Sequence, residues 1–492
     1  MKQFCVFFSL FFAILIAGCS SSSGSGSYEG GVVNPIKPST LNRCLGGSGD
    51  DIGYSVCVST DGTVWVTGQT KSVTGADSDV PNTKHNGSDL WLFGIDPKEN
   101  KIVYNRCFGG SGDDIGYSVC VSTDGTVWVT GETASATGAD SDVPNTKHAG
   151  ADLWLFGIDP KEDKIVYNRC FGGAQYDGGS SVCTSLDGTL WVTGKTYSNK
   201  GDGDVPLTKH GNDPSYSNIW LLGIDPTDDT LEPKYNRCFG GTGGDGGNSV
   251  CVASDGTVWV TGRTYSLAGP DSDVPATKHG ADADLWLLGI NPEKEGTPDE
   301  IKYNRCFGGT GYDGGNSVCV SPDGTVWVTG EAFSNANDGD VPATKQNGID
   351  VWLLGINPEK KGTPDEIKYN RCFGGSHYDG GNSVCVSPDG TVWVTGTTNS
   401  LTGSDIPLTK HASEDLWLFG INPKEKGTPN EIVYNRCFGG AISDHGYSVY
   451  VADGTVWVAG ETKSVTGEDS DVPITKHAGA DLWLLGIDPK EI

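Results

Sequence analysis

Seven near-copies of one unit, each about 65 residues long, fill most of this chain. The marker Asn-Arg-Cys recurs in every copy, at Cys44, Cys107, Cys170, Cys238, Cys306, Cys372 and Cys437. Each unit contains four strand-length apolar runs and no helical periodicity, and units of this kind are stable only when they pack on their neighbours. The sequence therefore predicts an all-β fold, a seven-bladed β-propeller of four-stranded antiparallel blades.

The first complete unit shows how the four strands, A to D, follow one another. Their apolar runs lie at 54–58, 64–67, 89–95 and 102–107. The pair Asp61-Gly62 between A and B suits a tight hairpin, and a long polar loop separates B from C. The link between C and D varies in length among the copies, as an exposed rim connection does. We therefore expect strand A to be innermost and strand D outermost.

All fourteen tryptophans fall in strands B and C, one each per copy, from Trp65 and Trp91 to Trp457 and Trp483. The run Leu90-Trp91-Leu92-Phe93 is apolar on both alternating faces, which is typical of a sheet covered on both sides. Aromatic anchors for a sugar would be a functional interpretation of these residues. We favour the alternative, a core between blades.

The two ends of the repeat array complement each other. The last copy stops after 481–487 without a fourth strand, whereas the array begins with a lone strand-like segment at 40–46. We predict that this segment pairs with the strand of Trp483 and closes the ring, so that no sheet edge is left free. The predicted blades are 53–109, 116–172, 179–240, 247–308, 315–374, 381–439 and 446–492.

The segment before the repeats has a different character. An apolar stretch over 4–17 is too short to span a bilayer comfortably and is typical of an export signal. Its end, Leu15-Ile16-Ala17-Gly18-Cys19, resembles the bacterial lipobox, which implies a signal peptide at 1–18 and lipidation of Cys19. An ordinary signal peptide is the alternative. Residues 19–39, rich in Ser and Gly, are expected to be a flexible tether.

Charge narrows the range of partners. The formal net charge is −29, from 34 basic and 63 acidic residues. Binding to a phosphate backbone depends on neutralisation by Lys and Arg, so nucleic acid is an unsuitable partner. With the lipobox resemblance, the expected location is the bacterial cell envelope, with the lipidated N terminus in the membrane. The outer membrane is favoured because no aspartate follows Cys19.

Cysteines recur in pairs thirteen residues apart in six units, beginning with Cys44 and Cys57, while Cys437 in the seventh is matched with Tyr450. An exported protein permits disulfides. However, an outer strand and the next inner strand are about three strand spacings apart, further than a disulfide can reach. We favour buried free thiols.

Two loop motifs are expected on one face of the ring. The first is an aspartate in every D to A loop, at Asp51, Asp114, Asp177, Asp245, Asp313, Asp379 and Asp444. A ring of carboxylates near the channel mouth could concentrate a cation or bind a partner. In the alternative, each carboxylate accepts hydrogen bonds from its own glycine-rich turn.

The second motif lies in the B to C loop, where paired acids precede Val-Pro and a Thr-Lys-His segment. The pairs include Asp77 and Asp79, Asp140 and Asp142, Asp202 and Asp204, and Asp271 and Asp273; the sixth copy keeps only Asp405. Calcium is a possible guest, since hard cations prefer oxygen ligands, and a solvated acidic loop is the alternative. No cofactor is required. Lys84, His85, Lys147 and His148 are further candidates for binding on this face.

Catalysis receives little support from the sequence. No nucleophile elbow, phosphate loop or zinc-protease helix motif occurs. His377 and His445 are the two histidines outside the Lys-His series, and both lie in D to A loops beside the repeated aspartate. They are the asymmetric feature that an enzyme hypothesis could use.

Three motifs recur in the same order: residues 46–54 (Gly-Gly-Ser-Gly-Asp-Asp-Ile-Gly-Tyr), residues 61–68 (Asp-Gly-Thr-Val-Trp-Val-Thr-Gly) and Asp79-Val80-Pro81. Together they resemble the bacterial seven-bladed beta-propeller (SBBP) repeat family over about residues 40–492. The cysteine pairs and the Thr-Lys-His segment depart from that pattern. The resemblance implies a propeller on exported bacterial proteins, with no enzymatic activity established for the repeat itself.

We therefore expect a non-enzymatic binding scaffold that presents its acidic loop face to a protein or glycan. A passive structural component of the envelope is the alternative, and a propeller hydrolase or lyase is a third interpretation. The sequence leaves the oligomeric state open.

Overall fold

The computed structural model describes residues 41–211, 213–228 and 232–490. Within these residues, 28 strands form seven four-stranded antiparallel sheets. This is the seven-bladed β-propeller that the repeats predict. The predicted signal peptide, Cys19 and the tether lie outside the described residues. None of the described residues belongs to a helix long and apolar enough to cross a bilayer.

Each blade runs from strand A to strand D in chain order. Blade 1 contains β2 (Asp51–Val58), β3 (Val64–Thr70), β4 (Asp89–Asp96) and β5 (Lys101–Phe108), and blade 2 contains β6 (Asp114–Val121), β7 (Val127–Thr133), β8 (Asp152–Asp159) and β9 (Lys164–Phe171). Blade 3 contains β10 (Asp177–Thr184), β11 (Leu190–Thr196), β12 (Asn218–Ile224) and β13 (Tyr235–Phe239), and blade 4 contains β14 (Asp245–Val252), β15 (Val258–Thr264), β16 (Asp284–Ile290) and β17 (Ile301–Phe307).

Blade 5 contains β18 (Asp313–Val320), β19 (Val326–Ala332), β20 (Asp350–Ile356) and β21 (Ile367–Phe373), and blade 6 contains β22 (Asp379–Val386), β23 (Val392–Thr398), β24 (Asp415–Ile421) and β25 (Ile432–Phe438). Blade 7 contains β26 (Asp444–Ala452), β27 (Thr455–Thr462), β28 (Asp481–Ile487) and, from the start of the array, β1 (Leu41–Leu45). Short 3-10 helices occur in three C to D links, at Pro292–Lys294, Pro358–Lys360 and Pro423–Glu425. Strand A begins at the aspartate of the D to A loop, two residues before the predicted start of the blade.

The ring closes as predicted. β1 pairs with β28 in antiparallel register, with Cys44 opposite Trp483. Leu41, Cys44 and Leu45 are buried in the clusters on either side of this sheet. The first strand of the array therefore supplies the outermost strand of the last blade.

The hydrophobic core lies between the blades. Seven clusters each combine residues of two adjacent blades; one joins Leu285 and Leu287 of blade 4 to Val328 and Trp352 of blade 5. The strand C tryptophans are at most 1 % exposed and the strand B tryptophans 4–5 %. All fourteen therefore belong to the core, which leaves them no surface for a sugar. The thirteen cysteines that the structure describes are all free.

The Asn-Arg-Cys marker has a structural explanation in every blade. In blade 1, the Trp91 indole N–H donates to Asn105 Oδ1 at 2.7 Å, and the Asn105 amide donates to the carbonyl of Asp79 at 2.8 Å. The backbone N–H of Cys107 donates to Thr83 Oγ1 at 2.8 Å. The marker thus satisfies a buried indole and fastens the B to C loop to the outermost strand, which would otherwise present an unpaired edge.

Inner strands are linked around the channel by serine hydroxyls. Val119 N–H of blade 2 donates to Ser55 Oγ of blade 1 at 3.2 Å, and the corresponding contact recurs at all seven junctions. Each strand A also has a β-bulge near its start, between Gly53 and Ser55 in blade 1, which leaves Tyr54 without a partner on strand B. A Cβ on Gly68 opposite the bulge would lie 1.8 Å from the Ile52 carbonyl oxygen, so glycine is required there.

Candidate functional site

The loop face is the face on which the D to A and B to C loops meet. Asp51 at the start of strand A is opposite Thr70 at the end of strand B, and Thr70 is opposite Asp89 at the start of strand C. Both predicted loop motifs therefore lie at this end of each blade. Most of the polar side chains in these two motifs form hydrogen bonds or ion pairs with other residues of the protein.

The aspartates of the D to A loops are buried beneath that face. Asp51 is 0 % exposed, and its Oδ2 accepts hydrogen bonds from the Gly47 amide at 3.0 Å and from Ser72 Oγ at 2.6 Å. The glycine contact recurs in the other six copies, at Asp114, Asp177, Asp245, Asp313, Asp379 and Asp444. These carboxylates fix their own turns, as the alternative interpretation had it, and do not form an open ring at the channel mouth.

A second buried carboxylate, which is not among the predicted site residues, is the first residue of strand C. Asp152 is 0 % exposed and accepts the His148 amide at 2.6 Å, with Lys147 Nζ 3.3 Å away. The equivalent residues are Asp89, Asn218, Asp284, Asp350, Asp415 and Asp481. The signal that could have found them is the invariant polar residue before an otherwise apolar strand.

Burial changes the acidity of these groups. Desolvation raises the pKa of Asp51, Asp114, Asp245, Asp313 and Asp444 from 3.8 to about 6, against the opposing effect of their hydrogen bonds. Because the folded-state pKa exceeds the unfolded value, protonation stabilises the fold. This stabilisation is complete below about pH 4 and is lost as the pH rises through about 6.

We therefore expect the melting temperature to fall by several degrees between about pH 5 and about pH 7.5, since a pKa shift of one unit corresponds to about 1.4 kcal/mol. Asp51→Asn keeps an oxygen acceptor but removes one titration, and should flatten this dependence. Asp61→Asn, in the exposed A to B turn, is the matched control and should keep the wild-type slope. Calorimetry across this range checks the prediction; an identical slope in Asp51→Asn would contradict it.

The second aspartate of each B to C pair holds two blades together. It forms an ion pair with the arginine of the preceding strand D: Arg43–Asp79, Arg106–Asp142, Arg169–Asp204, Arg237–Asp273, Arg305–Asp340, Arg371–Asp405 and Arg436–Asp471, at 2.6–3.6 Å. This explains why the sixth copy keeps Asp405 after losing the first acid of its pair.

The first aspartates of the pairs have other surroundings. Asp77, Asp140 and Asp271 are exposed, and Asp202 accepts the Ala174 amide at 2.9 Å. The two acids of a pair thus serve different partners. Among the described residues no group of three or more His, Cys, Asp or Glu side chains could hold a metal ion.

The Thr-Lys-His segment also lies at the junction between adjacent blades and contacts residues of both. Lys84 Nζ donates to the carbonyls of His85 and Gly87 and lies 3.2 Å from Asp89. His85 Nδ1 is 3.1 Å from Asp89, and its Nε2 is 3.9 Å from Asp142 of the next blade. Lys147 and His148 repeat this arrangement with Asp152 and Asp204. These four candidates are therefore engaged within the protein.

The repeats diverge at the bulge residue of strand A, which lies where the channel opens on the loop face. This residue is tyrosine in the adjacent blades 7, 1 and 2, serine in blade 3 and asparagine in blades 4, 5 and 6: Tyr447, Tyr54, Tyr117, Ser180, Asn248, Asn316 and Asn382. Each asparagine amide donates to a glycine carbonyl of the next blade at 2.8–3.0 Å. One half of the mouth is thus aromatic and the other polar.

The three tyrosines form a continuous arc. The Tyr54 ring centre is 5.3 Å from that of Tyr117 and 5.4 Å from that of Tyr447, with interplanar angles of 51° and 49°. These angles match the one-seventh turn between adjacent blades. With this spacing, the ring centres lie on a circle of about 6 Å radius. The arc is therefore a curved aromatic wall along one side of the mouth.

Carboxylates hold the phenols. Tyr447 Oη donates to Glu461 at 3.0 Å, and Tyr117 and Tyr176 both donate to Glu132. Burial, with the nearby charges of Glu461 and Glu132, raises the pKa of Tyr54 to about 12. The phenols are therefore neutral hydrogen-bonding groups at physiological pH.

A cavity of about 360 Å³ opens here, lined by Tyr54, Tyr117, Glu132, Tyr176, Gly178, Gly179, Ser180, Lys195, Asn382 and Tyr447. Its size falls within the range of small-ligand sites. Aromatic surface meets a carboxylate, an ammonium and an amide within one concave space. We call it the mouth cavity.

The two unusual histidines are placed differently. His445 stacks on Tyr447, with ring centres 6.0 Å apart, and its Nδ1 is 3.0 Å from Thr397 Oγ1. Its Nε2 is 3.7 Å from Glu414 and from Glu461. Burial lowers the pKa of His445, and Thr397 is only 3 % exposed, which leaves its hydroxyl little access to a substrate. His377 is exposed, with its Nδ1 2.9 Å from Ser376 Oγ.

Comparisons with known proteins identify no relative by sequence: no family model and no curated protein matches the chain. Among solved structures, Sqt1 from Chaetomium thermophilum aligns over 92 % of this chain and 99 % of its own, with 11 % identity and a TM-score of 0.44. A luciferin-regenerating enzyme aligns over 76 % and 91 %, with 9 % identity and a TM-score of 0.35. A protein of unknown function from Bacteroides caccae aligns over 70 % and 89 %, with 10 % identity and a TM-score of 0.34. The chain's own strand pairing shows an all-β, seven-bladed propeller closed by its first strand.

Proposed function

We propose that this protein is a non-enzymatic binding scaffold of the bacterial cell envelope, and that the mouth cavity receives its ligand, a glycan or a protein segment. The observation that carries the proposal is the break in repetition at the mouth. The arginine–aspartate pairs that hold adjacent blades together are present in all seven copies. The bulge residue differs among the copies: asparagine bonds to the next blade in blades 4 to 6, whereas Tyr54, Tyr117 and Tyr447 line the mouth cavity.

The chemistry of the cavity suits a glycan best. A pyranose ring has an apolar face of C–H groups that stacks on tyrosine, and hydroxyls that exchange hydrogen bonds with carboxylates and amides. The mouth cavity supplies both, with Tyr54 and Tyr117 beside Glu132 and Asn382. The proposed ligand site thus lies on the face expected from the sequence, but on the side chains that differ among blades rather than on the repeated acids.

We favour binding over catalysis because the carboxylates and the histidine at the mouth contact side chains of the protein itself. Glu132 and Glu461 accept hydrogen bonds from phenols that line the mouth, and His445 lies against Thr397, whose hydroxyl is buried. These contacts hold the tyrosines in place. A passive structural role, the alternative from the sequence, would not explain why tyrosines at this position are confined to three adjacent blades.

The anchoring part of the proposal rests on the lipobox resemblance around Cys19. Two acyl chains hold a protein on a membrane far better than one. The proposal of an exported bacterial protein rests further on the three recurring motifs that resemble the SBBP repeats, since no family model matches the chain. Palmitate labelling of the native chain, compared with Cys19→Ala, tests the anchor; equal labelling would remove it.

The ligand site is tested by giving the arc the residue that blades 4 to 6 already carry. Tyr54→Asn, Tyr117→Asn and Tyr447→Asn together should weaken binding at least about tenfold, since three stacked rings jointly contribute more than about 1.4 kcal/mol. Binding is measured on a glycan array and by capture from envelope extracts.

Asn316→Ser, on the opposite side of the mouth, is the matched control and should bind like the wild type. Melting curves of both variants establish that the ring is intact. Undiminished binding by the triple variant would contradict the mouth as the site, and a wild-type protein that captures nothing in either assay would favour the passive role.

A further inference from the structure

A second cavity lies on the loop face at blades 3 and 4. It has a volume of about 480 Å³ and is lined by Tyr216, Thr242, Gly243, Gly244, Tyr265 and Leu267. Three of these side chains, Tyr216, Tyr265 and Leu267, are 43–59 % exposed. Large apolar groups gathered at an exposed concave site are typical of binding surfaces.

The residue that follows strand B shows where this surface extends. It is Lys71, Ala134, Tyr197, Tyr265, Phe333, Asn399 and Lys463 in blades 1 to 7. Aromatic residues therefore occupy only the three consecutive blades 3, 4 and 5. Tyr176 and Tyr312 in the D to A loops join them, and we call Tyr176, Tyr197, Tyr265, Tyr312 and Phe333 the aromatic ledge.

The rings of the ledge form two contacting groups, one in blade 3 and one across blades 4 and 5. Tyr176 contacts Tyr197 with ring centres 5.9 Å apart, Tyr265 lies 6.3 Å from Tyr312, and Tyr312 lies 4.8 Å from Phe333. Tyr176 also lines the mouth cavity. The aromatic surface therefore continues from the mouth onto the loop face of blade 3.

Glycines leave a floor open between these rings in blade 4. Gly244 stands where blades 3 and 5 have Tyr176 and Tyr312, and Gly246 stands where blade 7 has His445. A Cβ on Gly246 would meet nothing within 4 Å, and one on Gly244 would meet only the Tyr265 ring at 4.0 Å. The missing side chains leave room above the backbone for a ligand to cross.

We infer that the ledge is a second subsite for the ligand of the mouth cavity, and that this ligand is an uncharged polysaccharide chain. The inference rests on the proposed function. One end of the chain occupies the mouth, and the following sugar units lie over blades 3 to 5 with their rings on the ledge. A net charge of −29 disfavours acidic polymers, and the basic groups nearby are engaged with tyrosines: Lys195 lies over the Tyr176 ring at 5.1 Å, and Arg263 donates to Tyr312 Oη at 3.0 Å.

Chain length is the variable that tests this. We would titrate the full protein with labelled neutral oligosaccharides, from disaccharide to octasaccharide, of β-1,4-glucan, α-1,4-glucan, β-1,4-mannan and β-1,4-xylan. Wild-type affinity for the preferred series should rise about tenfold or more with length. Tyr265→Ala with Phe333→Ala should abolish that rise and leave disaccharide affinity unchanged.

Lys71→Ala, at the position in blade 1 that corresponds to Tyr265, is the matched control, and Tyr265→Phe should retain the dependence on length. Removing the tyrosine arc should weaken binding of every length. The inference is wrong, while the proposed function stands, if the affinity of the Tyr265→Ala, Phe333→Ala variant rises with oligosaccharide length as much as that of the wild type. The same holds if the mouth cavity binds only a protein. If the wild type binds none of these ligands and no protein, both fall.

Discussion

Deleting residues 41–45 is expected to open the ring and to abolish its cooperative unfolding. This segment buries Leu41, Cys44 and Leu45 between blades 6, 7 and 1, and burial of each leucine contributes about 1.5–3 kcal/mol. Asn42 accepts the Trp483 indole N–H at 2.7 Å. Without the segment, the indole loses its acceptor and β28 becomes an open edge that can pair with another chain. We expect a loss of more than about 10 °C in melting temperature, together with association in light scattering.

A permuted chain separates the loss of the strand from the loss of its position. The same five residues would be placed after residue 492 through a copy of a C to D link, so that blade 7 carries its own strand D. Because the pairing partner is unchanged, this chain should recover most of the stability. A deleted chain that melts like the wild type would show that closure contributes little.

Glu366→Ala is expected to lower the free energy of unfolding by about 3–5 kcal/mol, the cost of removing one partner from a buried ion pair. Glu366 is 1 % exposed and belongs to the C to D link of blade 5. It accepts hydrogen bonds from the Tyr303 hydroxyl at 2.6 Å and from the Gly362 amide at 2.9 Å, and it forms an ion pair with Arg305. Tyr303 and Arg305 both belong to strand D of blade 4. Alanine would leave a buried phenol and a guanidinium nitrogen without their acceptor.

Asp163→Gly provides the control within the same molecule, because Asp163 has a φ of 49° and glycine removes the carboxylate without straining the backbone there. Asp163 receives the Tyr104 hydroxyl at 2.9 Å and lies 3.3 Å from Arg106, but its side chain is 62 % exposed. Exposed ion pairs contribute about 0–1 kcal/mol, so this variant should melt close to the wild type. Denaturant unfolding of both variants gives the comparison; equal and small effects would contradict the role assigned to Glu366.

The architecture could be predicted because it is repeated. Seven copies of a two-sided apolar sheet allow few arrangements other than a ring, and the missing fourth strand in the last copy leaves one partner for β1. The marker Asn-Arg-Cys and the acid before Val-Pro were visible as invariant letters, but their roles were not. Arg106 and Asp142 are 36 residues apart in the chain and meet only when blade 1 packs on blade 2.

The roles of residues in the longer C to D links could not be predicted from the sequence either. Their variable length indicated an exposed rim, yet in blades 4, 5 and 6 each ends in a buried glutamate, Glu300, Glu366 or Glu431. That glutamate reaches the tyrosine and arginine of the blade before it. Nothing in the local sequence distinguishes this residue from a solvated acid, because its burial depends on the neighbouring blade.

The sequence by itself determined that the chain is a closed propeller, since strand period, turn residues and copy number are local properties that repeat. The tertiary structure decided which repeated groups are free to act. Curving seven blades around one axis turned the recurring aspartates inward as buried acceptors, and it brought Tyr447, Tyr54 and Tyr117 from the two ends of the array into one arc. A site made by closing a ring depends on distances between residues about 390 positions apart, and no stretch of sequence contains those distances.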